Sequence, residues 1–258
     1  MQDLFSIKGK VAVVTGGSRG IGAMIARGFV EAGAKVYISA RKEAECAKTA
    51  AELSEHGTCI AIPADLSTEA GCQGLADAVA ARESALNILV NNAGANWGAP
   101  LAEFPDSGWD RVLALNVKGV FHLTKMLVPL LEKGAKEGDP ARIINIGSID
   151  GLKVPFLETY SYSASKAAVH HMTRVLAVQL APRRITVNAV APGPFESKMM
   201  AVTLDRFKDA IVAGCPLGRI GSPEDMAGVA IYLASRAGAY LTGAVIPVDG
   251  GISTTAAS

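Results

Sequence analysis

The chain has little cysteine, no excess of either charge and no long apolar run, and each shortage closes off a class of protein. Its four cysteines, Cys46, Cys59, Cys72 and Cys215, form no C-x-x-C pair and have no histidine at metal-ligand spacing. Neither a disulfide framework nor a metal site is expected, and the thiols read as small core or helix residues in a reducing compartment. Formal charges nearly cancel, with 25 Lys and Arg against 24 Asp and Glu. No global field is available to gather nucleic acid or an anionic membrane. No apolar run approaches the ~18 residues of a membrane span, and Met1-Gln2-Asp3-Leu4-Phe5 lacks the basic start and apolar core of a secretory leader. A soluble, cytoplasmic protein is the expectation. Internal repeats and low-complexity blocks are also missing.

What is abundant is apolar side chain, half of the 258 residues. That is enough for one large core, and a single domain over residues 1–258 is expected. Seven apolar runs have strand length: Val11 to Val14, Lys35 to Ser39, Cys59 to Ile62, Ile88 to Asn91, Arg142 to Ile146, Ile185 to Val190 and Val245 to Val248. They lack clean two-residue alternation, as strands covered on both faces of a parallel sheet do. Helical candidates between them include Ile21 to Glu31, Ser107 to Leu131, Thr159 to Leu180 and Pro223 to Ser235. The last begins Ser222-Pro223-Glu224-Asp225, an N-cap followed by proline and acids. The fold class that follows is α/β, a doubly wound Rossmann-type parallel sheet flanked by helices.

Thr15-Gly16-Gly17-Ser18-Arg19-Gly20-Ile21-Gly22 lies between the first strand and the first helix. Glycines there let the backbone turn tightly and approach a pyrophosphate, which unpaired N–H groups and the positive helix end favour. Glycine also ends strands that bind nothing, but three glycines at a strand-to-helix junction favour a dinucleotide cradle. About 20 residues on, an acid would hold a free ribose 2′-hydroxyl. This strand instead ends Ser39-Ala40-Arg41-Lys42. Arg41 and Arg19 could clamp a 2′-phosphate, which favours NADPH over NADH; the competing reading is an ordinary solvated helix start. Asp65 and Leu66 follow the third strand, near where an adenine edge would lie. Asn91-Asn92-Ala93-Gly94 ends the fourth with small residues where a cofactor would cross, although Asn92 could simply close a turn.

Tyr162 and Lys166 are four apart, so a helix puts both side chains on one face. A phenol is a poor proton donor or acceptor at neutral pH unless a cation favours its phenolate, and Lys166 is the expected cation. Tyr160 has no lysine at 164 and reads as packing. Ser148, after Asn145-Ile146-Gly147, could donate to a substrate oxygen or merely cap a turn. Asn116 is an uneasy residue for a helix interior. It fits a local backbone break serving a water relay, or a satisfied core amide.

Taken in order, T-G-G-S-R-G-I-G, N-N-A-G, Asn116, Ser148, Tyr162-x-x-x-Lys166, Ala191-Pro192-Gly193 and Val245-Ile246-Pro247-Val248-Asp249-Gly250-Gly251 resemble the short-chain dehydrogenase/reductase superfamily over almost the whole chain. The chain is most similar to its NADPH-dependent 3-oxoacyl reductases of the rhamnolipid type. The resemblance implies a seven-stranded sheet, a homotetramer built partly on two long helices, and a catalytic tetrad of Asn116, Ser148, Tyr162 and Lys166. It implies a cofactor site made of Gly16, Ser18, Arg19, Ile21, Arg41, Asp65, Leu66, Asn92, Ala93, Gly94, Tyr162, Lys166, Pro192, Gly193, Phe195 and Ser197. Ser197 stands where many members have threonine, but a hydroxyl is retained.

The expected activity is reduction of a carbonyl, a 3-oxoacyl thioester or related β-keto compound, with Tyr162 as the acid. A dehydrogenase of a sugar, steroid or secondary alcohol is the alternative, and a non-catalytic NADP-binding redox sensor a more distant one. Trp97, Phe156, Leu157, Phe195, Met199 and Met200 would give the site an apolar mouth, with a substrate loop at about 193–216, or else pack within their loops. An acyl carrier protein is a possible partner. Arg183 and Arg184 match the place of a basic carrier-docking residue, but a solvated basic turn is the preferred reading.

Overall fold

The β-branched runs form seven strands: β1 (Val11–Thr15), β2 (Lys35–Ser39), β3 (Thr58–Ala61), β4 (Ile88–Asn91), β5 (Ala141–Ile146), β6 (Ile185–Pro192) and β7 (Val245–Val248). The structure, a computed structural model, describes residues 3–155, 157–198 and 200–253. Every neighbouring pair is parallel, in the order β3-β2-β1-β4-β5-β6-β7. From β1 the chain winds outward to β3, then crosses back to build β4 to β7 on the other side. That reversal leaves a crevice at the carboxyl ends of β1 and β4.

Helices cover both faces: α1 (Gly20–Glu31), α2 (Glu43–Ser54), α3 (Glu69–Ala80), α4 (Asp106–Leu113), α5 (Val120–Gly134), α6 (Tyr160–Leu180), α7 (Ala201–Ala213) and α8 (Pro223–Ala234). Successive strand residues point to opposite layers. Val14, Ile38 and Val90 join Ile25 and Phe29 of α1 and Met226 of α8 in one core cluster. Val13, Tyr37 and Leu89 join Leu75 of α3 and Leu127 of α5 in the other. Each fully buried aliphatic side chain contributes roughly 1.5–3 kcal/mol, so the two layers together hold the sheet.

Two departures from expectation have local causes, and the basic turn before β6 is where the sequence puts it. The helix expected over Ser107 to Leu131 is two α-helices joined by a π-helical turn, Ala114–Gly119. The expected substrate loop at about 193–216 is largely helical, because Ala201–Ala213 forms α7. Arg183 and Arg184 lie at the amino end of β6, where the left-handed Arg184 (φ 57°) turns the chain and Arg183 pairs with Glu132. Eight strand residues, roughly 25 Å, separate that turn from the carboxyl end of the sheet. At the same amino end, the buried Arg142 donates to the carbonyls of Leu233 and Ser235 at the close of α8 and to Asp139, which also holds Lys10 at 2.7 Å. Among the described residues, no helix is long and apolar enough to cross a membrane.

Candidate active site

The cradle depends on glycine at several points. Gly16 and Gly20 have φ of 64° and 53°, and a Cβ on Gly22 would stand 2.3 Å from the Gly16 carbonyl oxygen. Arg19 opens α1 without a side-chain hydrogen bond to the first turn, which suits an anion at the helix start. Thr15 braces the loop from below, its Oγ1 accepting from the N–H groups of Asn92 and Ala93, both at 2.9 Å. Asn92 Nδ2 donates to the carbonyls of Thr15 (2.8 Å) and Gly16 (3.2 Å). The turn-closing reading of Asn92 therefore holds for its amide nitrogen, which supports the cradle from β4. The Ser18 carbonyl accepts from Thr49 of α2, and Ile21 remains partly exposed at the start of α1.

At the adenosine end, exposed Arg19, Arg41 and Lys42 gather beside Glu45 and Asp65. Arg41 acts electrostatically on Asp65, whose carboxylate also accepts from the Ser67 N–H and hydroxyl. Burial raises the Asp65 pKa, but the Ser67 bonds and Arg41 outweigh it and leave the group below its ordinary value. Leu66 is buried beneath this corner, its carbonyl so close to Gly119 that a Cβ there would stand at 2.3 Å.

The four tetrad residues converge at the carboxyl end of β5. In the π turn, Asn116 is buried, its Oδ1 accepting from Ala95 N–H (2.8 Å) and its Nδ2 donating to Ala95 C=O and Ser165 Oγ, both at 2.9 Å. The extra residue of the π turn swings this amide toward the loop after β4. A Cβ on Gly94 would lie 3.4 Å from Asn116 Oδ1 and 3.9 Å from Lys166 Nζ, so the N-N-A-G turn meets the tetrad. Lys166 Nζ donates to Ile146 C=O at 2.7 Å and lies 5.4 Å from the centroid of the Tyr162 ring. The two side chains lie on one face of α6, as their spacing predicts, with the ammonium at the carboxyl end of β5.

The electrostatics run against one expectation. Burial raises the Tyr162 phenol to about 12, although its hydrogen bond with Ser148 favours ionisation; the nearby Asp150 carboxylate raises it further. Burial lowers the Lys166 ammonium to about 8, with Asp150 opposing. Desolvation is the largest influence on the phenol, and the hydrogen bond with Ser148, not the Lys166 cation, is what opposes it. Tyr162 is therefore a protonated phenol at neutral pH, an acid beside a cation.

Several residues stand elsewhere than expected. Phe195 is 2 % exposed, its ring seated where a Cβ on Gly221 would be 2.3 Å away, so it packs in the core and does not face substrate. Ser197 Oγ accepts from Met200 N–H, and its Cβ approaches Gly20, folding this segment back onto the cradle. Pro192 ends β6, and Gly193 N–H donates to Val248 C=O beside Asp249. Trp97 is partly buried against Gly108 of α4, with the Arg111 guanidinium 5.8 Å from its ring centre. Phe156 and Met199 lie outside the described residues. Tyr160 packs edge-on against Phe104, as expected.

Two further residues lie near the tetrad: Asp150, which the sequence does not single out, and His170, which for want of an acid or nucleophile partner at telling spacing reads as a surface or packing residue. His170, buried on α6, accepts from Ser148 N–H through Nε2 at 3.4 Å and is held neutral, burial lowering its pKa to about 4. Asp150, in the short turn after Ser148, donates its N–H to Ser148 Oγ at 3.1 Å. The helical period could have placed His170 one turn beyond Lys166, but nothing local signals its partner.

A family model described as enoyl-(acyl carrier protein) reductase matches residues 16–253. A rhamnolipids biosynthesis 3-oxoacyl-(acyl-carrier-protein) reductase of Pseudomonas aeruginosa is 51% identical over 253 residues, 97% of this chain and 99% of that protein. The chain belongs to the short-chain dehydrogenase/reductase family. Among solved members of the short-chain dehydrogenases/reductases, the Pseudomonas aeruginosa RhlG/NADP active-site complex superposes with a TM-score of 0.94 at 51% identity, covering 98% of this chain and 99% of that one. A gluconate 5-dehydrogenase from Burkholderia cenocepacia, in complex with NADP and tartrate, superposes with a TM-score of 0.90 at 33% identity, covering 98% of each chain. The doubly wound sheet expected from the sequence is thus the short-chain dehydrogenase/reductase fold.

Proposed function

We propose that the protein is an NADPH-dependent reductase that converts a carbonyl to an alcohol, with a 3-oxoacyl thioester or related β-keto compound as its substrate class. The observation that carries this reading is the convergence of Tyr162, Lys166, Ser148 and Asn116 beside a glycine cradle whose adenosine end is basic. The 3-oxoacyl reductase relative and the NADP complex of the similar structure support it.

NADPH fits the crevice: the cradle and the uncapped start of α1 suit its pyrophosphate, and Arg19 and Arg41 suit its 2′-phosphate. When bound, it supplies hydride to the carbonyl carbon. Tyr162 gives its phenolic proton to the carbonyl oxygen, for which its raised pKa leaves it fully loaded at neutral pH. The Ser148 hydroxyl donates to the same oxygen as charge grows there. Lys166 steadies the phenolate left behind, and the Asn116 amide positions Ala95 and Ser165 around a proton path to solvent.

Leu101, Leu152, Val154, Leu157 and Val202 are exposed and follow the carboxyl ends of β4, β5 and β6 in the chain, so we assign them to an apolar rim of the mouth. That rim favours an acyl chain over the polar substrate of a gluconate dehydrogenase. The segment of about 193–216, with α7, forms the substrate side of one domain spanning residues 1–258. Presentation by an acyl carrier protein, assembly as a homotetramer and a cytoplasmic location complete the proposal, the last supported by four buried, free cysteines.

NADPH absorbance followed with β-keto thioesters, β-keto esters, plain ketones and sugar ketones tests the substrate class; fastest turnover of a sugar ketone overturns it. Y162F is expected to lower kcat by about 10²–10⁴-fold with NADPH binding retained. Unchanged reduction by Y162F overturns the assignment of the acid.

A further inference from the structure

The adenosine end of the crevice contains an acid among its cations. Glu45, in the first turn of α2, places Oε2 3.5 Å from Arg19 Nη1 and Oε1 2.8 Å from Lys42 Nζ. Lys198, from the segment after β6, adds a third positive charge acting on it. The hydrogen bond from Lys42 holds the Glu45 carboxyl below its ordinary value, so it is ionised at neutral pH. Its backbone is fixed beside the cradle, because Cys46 and Ala50 are buried and Thr49 Oγ1 donates to Ser18 C=O at 2.9 Å. Its side chain is half-exposed and free to turn away.

We propose that Glu45 is a cofactor-specificity residue whose carboxylate occupies Arg19 and Lys42 in the absence of a 2′-phosphate and competes with that phosphate for them. The proposal rests on the NADPH reading above. Carboxylate and phosphate are bound by the same N–H donors, and an anion left beside the phosphate repels it. A dinucleotide with a free 2′-hydroxyl leaves both Glu45 pairs intact. Glu45 therefore narrows the preference for NADPH over NADH without abolishing it.

E45Q keeps the shape of the side chain and removes its charge. Calorimetric titration with NADPH, NADH, adenosine 2′,5′-bisphosphate and adenosine 5′-monophosphate reads binding without turnover. E45Q is expected to bind NADPH and the bisphosphate about two- to tenfold more tightly, the size of one or two exposed ion pairs, and the other two ligands as wild type does. High salt should shrink the gain. E52Q, which discharges the Lys48–Glu52 pair farther along the same helix, should change nothing. Unchanged or weakened NADPH binding in E45Q, or an equal gain in E52Q, overturns the proposal. The combined R19A and R41A variant separates the two levels of inference. If it binds NADPH as wild type does, the phosphate clamp itself fails; if it loses NADPH affinity while E45Q is silent, only the role of Glu45 fails.

Discussion

Two ionisable side chains carry the proposed chemistry, and burial moves them in opposite directions, Tyr162 up to about 12 and Lys166 down to about 8. Reduction needs the phenol protonated and the ammonium charged. The first condition holds across the physiological range, and the second fails as pH rises through about 8. The reduction rate should therefore fall on the alkaline side with the titration of Lys166. Asp150 sharpens the test, because its carboxylate favours the ammonium and opposes burial. D150N removes that support, so its alkaline limb should move to lower pH in a kcat profile measured with saturating NADPH. A limb that stays in place would show that the Asp150 charge is screened from Lys166. At this scale the sequence was legible for placement: Tyr162 beside Lys166 on one helix face, Ser148 within hydrogen-bonding reach of the phenol, and glycine where the cradle turns. It was illegible where the sign of an effect depends on burial, since desolvation of the pair belongs to the folded surroundings and not to its spacing.

Among the elements, β2, β4 and β7 begin and end where their apolar runs predict, at Lys35–Ser39, Ile88–Asn91 and Val245–Val248. The π turn at Ala114–Gly119 could be anticipated only as an awkward Asn116, because the break is completed by Ala95, 21 residues earlier. Phe195 was read as a substrate contact for the same reason: the glycine that admits its ring, Gly221, lies far along the chain. A further buried chain runs beneath the site, Asn91 Nδ2 donating to Thr124 Oγ1 and Asn145 Oδ1, and Asn145 Nδ2 to Thr173 Oγ1. It ties α5 and α6 to the two central strands with no local signature. The π turn yields the prediction proper to this scale. N116A strands the N–H and C=O of the partly buried Ala95, and an unpaired polar group costs up to about 1–3 kcal/mol where water does not replace its partner. Thermal unfolding should drop by several degrees and kcat should fall with it, at roughly 2–4 °C per kcal/mol for a chain of this size. A variant with wild-type melting and lost activity would instead assign Asn116 to proton transfer alone.

For the molecule as a whole, the two ends of the sheet meet different demands. The amino end is locked by Lys10, Asp139 and Arg142 against the close of α8, while the carboxyl end keeps polar groups buried around an open crevice. The second arrangement ties global stability to pH through His170. The ring is 3 % exposed, and a Cβ on Gly147 would stand 2.0 Å from Nε2, so the two sites were shaped together. Burial lowers the pKa from 6.5 to about 4, the Gly151 backbone bond opposes this, and Lys166 and Arg174 reinforce it. In the unfolded chain the imidazole takes up a proton near 6.5, whereas the folded chain refuses it until about 4. The unfolded state thus binds more protons between those values, and stability must fall as pH falls across them. The contribution is whole above about 6.5 and gone below about 4, and amounts to roughly 3 kcal/mol. H170Q cannot titrate, yet its amide carbonyl can still accept from Ser148 N–H. Denaturant unfolding at a series of pH values should therefore show a shallower acid slope for H170Q between pH 6.5 and 4, the variant gaining stability relative to the wild type as pH falls. Parallel slopes would mean that the ring is protonated in the folded protein, and that Ser148 is held by some other contact.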